Sequence, residues 1–163
     1  MKPVREKPHR LSRDAYKGQV TASVTICVNK RIPLFINDNI VAVFVEMLGY
    51  AAERWSCSVV AYCFMPDHVH LLLQGKDPNA DLWRVVSDFK QKSGYWLYNH
   101  RPDVLWQKDF YDRVIRQDDD LVAHIRYILE NPCRKGLVDN WEDYPYKGAI
   151  GCDLVDVVGG LAL

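Results

Sequence analysis

Cys57-Ser58-Val59-Val60-Ala61-Tyr62-Cys63-Phe64-Met65-Pro66-Asp67-His68-Val69-His70-Leu71-Leu72-Leu73-Gln74 is the stretch on which the fold turns. Two apolar runs of strand length, Cys57 to Phe64 and His68 to Gln74, flank a Met65-Pro66-Asp67 break. Proline fixes φ and removes a backbone donor, and aspartate bonds readily to nearby backbone in turns. The segment therefore reads as a β-hairpin. Side chains two apart on a strand project from the same face, so the imidazoles of His68 and His70 stand side by side with Val69 behind them.

Working outward, Gln19 to Asn29 places Val20, Ala22, Val24, Ile26 and Val28 on one face and Thr21, Ser23 and Thr25 on the other. That period of two predicts a half-buried strand. Asn37, Asp38 or Asn39 caps a helix running to about Trp55, with Val41, Phe44, Val45, Leu48, Ala51 and Ala52 at three- and four-residue steps. A second helix is predicted from Asn79 to about Tyr98, and Val104 to Ile115 reads as extended. Asp118, Asp119 and Asp120 favour a third helix start, Leu121, Val122, Ile125, Ile128 and Leu129 supply its apolar stripe, and Pro132 stops it. The order β–α–β–β–α–β–α predicts an α+β protein. We expect a ferredoxin-like α/β sandwich, an antiparallel sheet with helices packed on one face.

The chain has 163 residues, one domain by length, of which 48% are hydrophobic and 26% charged, values that exclude wholesale disorder. Its 21 Lys and Arg balance 21 Asp and Glu, which argues against nucleic-acid binding by bulk charge and leaves local basic patches. Lys2, Arg5, Lys7, Arg10, Arg13 and Lys17 outnumber Glu6 and Asp14 at the start, whereas the segment from Asp139 onward is acidic. We divide the chain into a basic arm (1–17), a folded domain (18–150) and a tail (151–163). No run is apolar enough to span a bilayer, and no apolar signal segment follows Met1. Five cysteines without a C-x-x-C pair read as reduced, mostly buried thiols of a cytoplasmic protein.

Two constellations can carry chemistry. His68 and His70 hold one divalent cation, or are simply two surface histidines on a hairpin. His124, Tyr127 and Asn131 fall at i, i+3 and i+7, on one face of the third helix. A tyrosine there is an amphipathic edge residue, or a nucleophile where a metal and a phosphate lie beside it. Asn131 is a helix C-cap before Pro132, or a carboxamide donor. His124 is a geometric candidate for a general base, with an ordinary surface histidine as the simpler reading.

Tyr62-Cys63-Phe64-Met65-Pro66-Asp67-His68-Val69-His70-Leu71-Leu72 resembles the signature of the single-tyrosine HUH transposases, in which U is a bulky apolar residue. Leu105-Trp106-Gln107-Lys108-Asp109-Phe110-Tyr111-Asp112 resembles that family's strand before the catalytic helix. Tyr127-Ile128-Leu129-Glu130-Asn131-Pro132-Cys133-Arg134-Lys135-Gly136-Leu137-Val138 resembles the YI-x-x-NP-x-x-x-GLV block of the REP-associated branch. The resemblance implies a protein that binds a DNA hairpin and cleaves single-stranded DNA beside it through a 5′-phosphotyrosine. By motif position, His68, His70 and Asn131 would be metal ligands and Tyr127 the nucleophile. Mg²⁺ or Mn²⁺ would be the metal, and no nucleotide cofactor would be needed.

For DNA contacts we select Arg10 and Arg13 in the arm, Lys92 and Tyr95 on the second helix, and Arg134 and Lys135 after the third. The expected partner is a DNA hairpin with a single-stranded flank, bound by a monomer or homodimer with no membrane association. Two rival readings are a non-catalytic hairpin-binding protein and an unrelated H-x-H metal-dependent hydrolase.

Overall fold

Alternation shapes the first strand: in β1 (Thr21–Cys27) Ala22, Val24 and Ile26 are buried, while Thr21, Ser23 and Thr25 are partly covered. The computed structural model describes residues 11–116 and 121–159. The hairpin forms from β2 (Cys57–Met65) and β3 (His68–Gly75), antiparallel, with Met65 opposite His68 across the Pro66-Asp67 turn. β1 pairs with β3, placing Cys27 opposite His68, Thr25 opposite His70 and Ser23 opposite Leu72. The other edge of β1 pairs with β4 (Tyr111–Ile115). A strand that the sequence reading does not contain, β5 (Lys147–Ile150), joins β2. The sheet order is β4-β1-β3-β2-β5, with every neighbouring pair antiparallel.

α1 (Asp38–Arg54) starts where the Asn37 side chain accepts the Ile40 N–H at 2.9 Å. α2 (Leu82–His100) is capped by Asp81, not by the Asn79 region, because the Asp81 carboxylate accepts the Arg84 N–H. These helices bury Phe44, Leu48, Val85 and Phe89 against Val24, Val69, Leu71 and Leu73, forming the expected layer on one face. The opposite face carries a second, smaller layer. There Ala61, Cys63, Met65 and Leu72 meet Ile125, Ile128 and Leu129 of α3 (Leu121–Leu129), with α5 (Leu154–Gly159) packed alongside. β3 is consequently buried on both faces from His68 to Leu73.

Between Val104 and Ile115 only Tyr111–Ile115 is strand; Trp106 makes one bridge to Val28, and Val104 and Phe110 plug the core as loop residues. α3 ends before Pro132, which has no N–H to continue the ladder and instead occupies the first turn of α4 (Asn131–Arg134). α4 closes with Gly136 at φ +72, the Gly136 N–H bonding to the Cys133 carbonyl and the Leu137 N–H to the Pro132 carbonyl. This Schellman turn requires the left-handed conformation that glycine adopts without a Cβ clash. It sets Lys135 and Leu137 on the same side as His68.

Cys27, Cys57 and Cys63 are buried, whereas Cys152 is exposed. Arg10 and the Asp118-Asp119-Asp120 helix start lie outside the described residues. Among the described residues no helix is long and apolar enough to cross a membrane.

Candidate active site

The two imidazoles stand on one strand, β3, and are held by different partners, one from the turn before it and one from β1. His68 Nδ1 lies 2.6 Å from Asp67 Oδ1, and His70 Nδ1 lies 2.9 Å from Thr25 Oγ1 on β1. Their Nε2 atoms face one another at 3.1 Å, the rings perpendicular and their centroids 4.8 Å apart. With a proton on each Nδ1, given to Asp67 and to Thr25, both Nε2 lone pairs converge on one point. A cation relieves that convergence, and Nδ1 partners of this kind orient metal-binding imidazoles. Asp67 is itself held by Arg31, whose Nε lies 3.1 Å from its Oδ2 and whose guanidinium also donates to Cys27 Sγ.

The third donor comes from across the chain. Asn131 is 3% exposed, and its side-chain amide nitrogen lies 3.4 Å from His68 Nε2. A half-turn of that amide puts its oxygen in the same place. No group of three or more His, Cys, Asp or Glu stands together among the described residues, so the donor set here is two imidazoles and one carboxamide. That set fits a divalent ion that accepts nitrogen and oxygen and keeps positions open for water or phosphate.

Burial pushes the pKa of His68 down, partly offset by Asp67. For His70 burial is again the main cause, and the charges of His68, Arg134, Arg31 and Lys135 act in the same direction. Both directions favour the neutral form that binds metal.

α3 delivers the tyrosine. Burial of Ile125, Ile128 and Leu129 turns the remaining face outward, leaving Tyr127 56% exposed with its ring centroid 5.9 Å from that of His70. Tyr127 and His124 line an open cavity of about 360 Å³ together with Ser23 and Ala123. A second cleft of about 200 Å³ lies on the other side of the histidines, lined by Arg31, Met65, Pro66, Asp67, His68, Lys135 and Leu137.

His68, His70, Asn131 and Tyr127 are thus gathered from β3, α4 and α3 into one site, with Arg134 and Lys135 at its border. Lys92 and Tyr95 are not gathered with them. They are exposed on α2, in the helical layer on the opposite sheet face, where the Lys92 ammonium lies 5.7 Å from the Tyr50 ring centroid. Arg13 lies over the Trp83 ring, its guanidinium carbon 5.0 Å from the centroid. The sequence reading missed Thr25, Asp67 and Arg31 as supports of the histidines. Asp67 adjoins His68 in the sequence, where it reads as a turn residue, and only strand register brings Thr25 to His70.

The site thus combines an H-x-H pair on a central strand of an antiparallel sheet with a tyrosine-bearing helix across the same face. The family described as "Transposase IS200 like" matches residues 17–131, and the chain belongs to it. It is 29% identical over 134 residues, 76% of each chain, to a Haemophilus influenzae protein classed among the REP-associated tyrosine transposases. It is 31% identical over 91 residues, 53% of this chain and 51% of the relative, to a REP-associated tyrosine transposase of Escherichia coli K12. In fold it resembles a REP-associated tyrosine transposase solved bound to a REP hairpin, with a TM-score of 0.67 and 20% identity, covering 87% of this chain and 82% of that one.

Proposed function

We propose that this transposase binds a DNA hairpin, cuts the adjoining single strand with Tyr127 in a metal-dependent step, and rejoins strands through the covalent intermediate. The observation that carries the reading is the convergence of the His68 and His70 Nε2 atoms, 3.1 Å apart, beside the exposed Tyr127 ring. His68, His70 and Asn131 would hold the cation. Mg²⁺ suits the carboxamide oxygen and Mn²⁺ tolerates the imidazoles. When bound, the ion neutralises charge on the non-bridging phosphate oxygens.

The protein's own groups do the rest. The Tyr127 hydroxyl oxygen forms a bond to phosphorus as the bond from phosphorus to the 3′ oxygen breaks, and the tyrosine proton ends on that 3′ oxygen. One phosphodiester replaces another, so no nucleotide cofactor is consumed, and attack by a 3′-hydroxyl restores Tyr127. Asp67 and Thr25 fix the imidazole tautomers. Arg134 and Lys135 border the site with positive charge for phosphate. The partner is a DNA hairpin with a single-stranded flank, and the protein acts in the cytoplasm as a monomer or homodimer.

A nicking assay on labelled hairpin oligonucleotides with flanks on both sides tests this reading. We expect cutting with Mg²⁺ or Mn²⁺, none in EDTA, and a covalent protein–DNA species in denaturing gels. Binding without cutting would leave a hairpin-binding protein, and cutting without the covalent species would leave a hydrolase.

A further inference from the structure

The histidine pair separates two openings, and strand register gives their order. The Arg31–Lys135 cleft lies at the Pro66–His68 end of β3. The Tyr127 cavity reaches Ser23, which stands opposite Leu72, four residues further along β3. At ~3.3 Å per residue that is about 13 Å from the level of His68. Tyr127 itself packs against His70, not His68. A single strand whose phosphate rests at the imidazoles must therefore leave through the cleft on one side and the cavity on the other.

In-line displacement then sets the polarity. The attacking and leaving oxygens lie on opposite sides of phosphorus. With Tyr127 approaching from the His70 end, the 3′ oxygen departs toward the His68 end. We infer that the Arg31–Lys135 cleft is the binding site for the strand on the 5′ side of the break, holding the phosphate next to its new 3′-hydroxyl. This inference rests on Tyr127 being the nucleophile.

The cleft is built for that ligand. Arg31 sits at φ +54 after Lys30 at φ +58, a left-handed pair that aims the guanidinium back over the Pro66-Asp67 turn. Its bonds to Asp67 and Cys27 hold it in place, and its side chain stays 49% exposed. Lys135 is presented from the other wall by the Gly136 turn. Met65, Pro66 and Leu137 form an apolar floor on which a sugar or base can lie. Two cations over such a floor suit a nucleotide phosphate. The strand kept on Tyr127 takes the cavity of Ser23 and His124. Retaining the freed 3′-hydroxyl in the cleft keeps it poised to reverse the reaction.

The test uses the full chain and a hairpin oligonucleotide with flanks on both sides, the cut first mapped with wild type. A neutral methylphosphonate then replaces the first phosphate 5′ of the break or the first phosphate 3′ of it. For wild type the 5′ replacement should weaken binding roughly three- to fivefold, the scale of an exposed charge pair. For Lys135→Ala, which leaves only Arg31 on that phosphate, the penalty should fall below about twofold, while the 3′ replacement costs both proteins equally. Arg31→Lys, which keeps the charge, should retain the 5′ penalty. With unmodified DNA, Lys135→Ala should also let the freed strand escape, raising the fraction held as covalent adduct about threefold. An undiminished 5′ penalty in Lys135→Ala, coupling to the 3′ phosphate instead, or an unchanged adduct fraction would overturn the assignment and leave the nucleophile standing. A wild type that never cuts would remove the proposed function, and this assignment with it.

Discussion

Arg134 lies over the ring of Tyr127, its guanidinium carbon 4.1 Å from the ring centroid, and donates to the Tyr127 backbone carbonyl across the break between α3 and α4. A planar guanidinium stacked on a phenol restricts the ring and places a fixed positive charge beside it. Pro132 lies between the two residues, at the start of the short α4 that carries Arg134.

Arg134→Lys keeps the charge and loses the plane. We expect cleavage to fall roughly two- to fivefold, the scale of a cation–π contact on an exposed ring, with hairpin affinity nearly unchanged. Arg134→Ala should lower both. Single-turnover cleavage alongside fluorescence anisotropy measures the two separately, and equal losses in Arg134→Lys would reduce Arg134 to a phosphate contact.

Tyr127→Phe removes one oxygen atom. The ring contacts to His70 and Arg134 survive, so fold, metal affinity and DNA affinity should hold while cutting disappears. Wild-type digests should place the adduct on the peptide containing Ile125 to Asn131 by mass spectrometry. A covalent adduct on Tyr111 or any other residue would refute this assignment.

His68→Ala or His70→Ala leaves one imidazole facing an empty partner. Cutting should drop below detection and Mn²⁺ affinity by at least about tenfold, with hairpin binding retained because phosphate contacts lie elsewhere. Isothermal titration with Mn²⁺ and a gel shift in EDTA check the two halves.

Asp67→Ala and Thr25→Val act one bond further out. Each loosens one ring by removing the partner of its Nδ1, at 2.6 Å and 2.9 Å respectively. Mn²⁺ affinity should fall by about 10- to 100-fold without loss of either imidazole. Metal titration of the apoprotein reads this directly, and unchanged affinity in both variants would show that the imidazoles need no such support.

The buried thiols predict how stability responds to alkali. Burial pushes Cys63 up to about 12 and Cys57 up to about 11. An unfolded thiol titrates near about 8.5. Their contribution is therefore complete below about pH 8.5 and is lost as pH rises toward the folded values, because the unfolded chain releases protons that the folded one keeps. Each thiol should cost up to about 1.4 kcal/mol per pH unit across that window. Urea unfolding from pH 8 to pH 11 should show the decline, and Cys63→Ala, though less stable at pH 8, should decline less steeply.

Local sequence determined the parts. The Pro66-Asp67 turn, the alternation of Ala22, Val24 and Ile26, the Asn37 cap and the H-x-H spacing depend on residues within a few positions of one another. Periodicity and turn chemistry encode such features directly. The same locality placed Tyr127 on the outward side of its helix, because Ile125, Ile128 and Leu129 had to turn inward. Tertiary structure decided which sheet face each helix covers. α2 and α3 are both amphipathic, yet only α3 lies on the histidine face, so Lys92 and Tyr95 stand away from the site while Asn131 reaches His68. One local trace of the second layer existed, the unbroken Leu71-Leu72-Leu73 run, which suits a strand buried on both sides. The pairing of Thr25 with His70, and of Arg31 with Asp67, has no local trace, because register between β1 and β3 joins residues more than thirty positions apart in the chain.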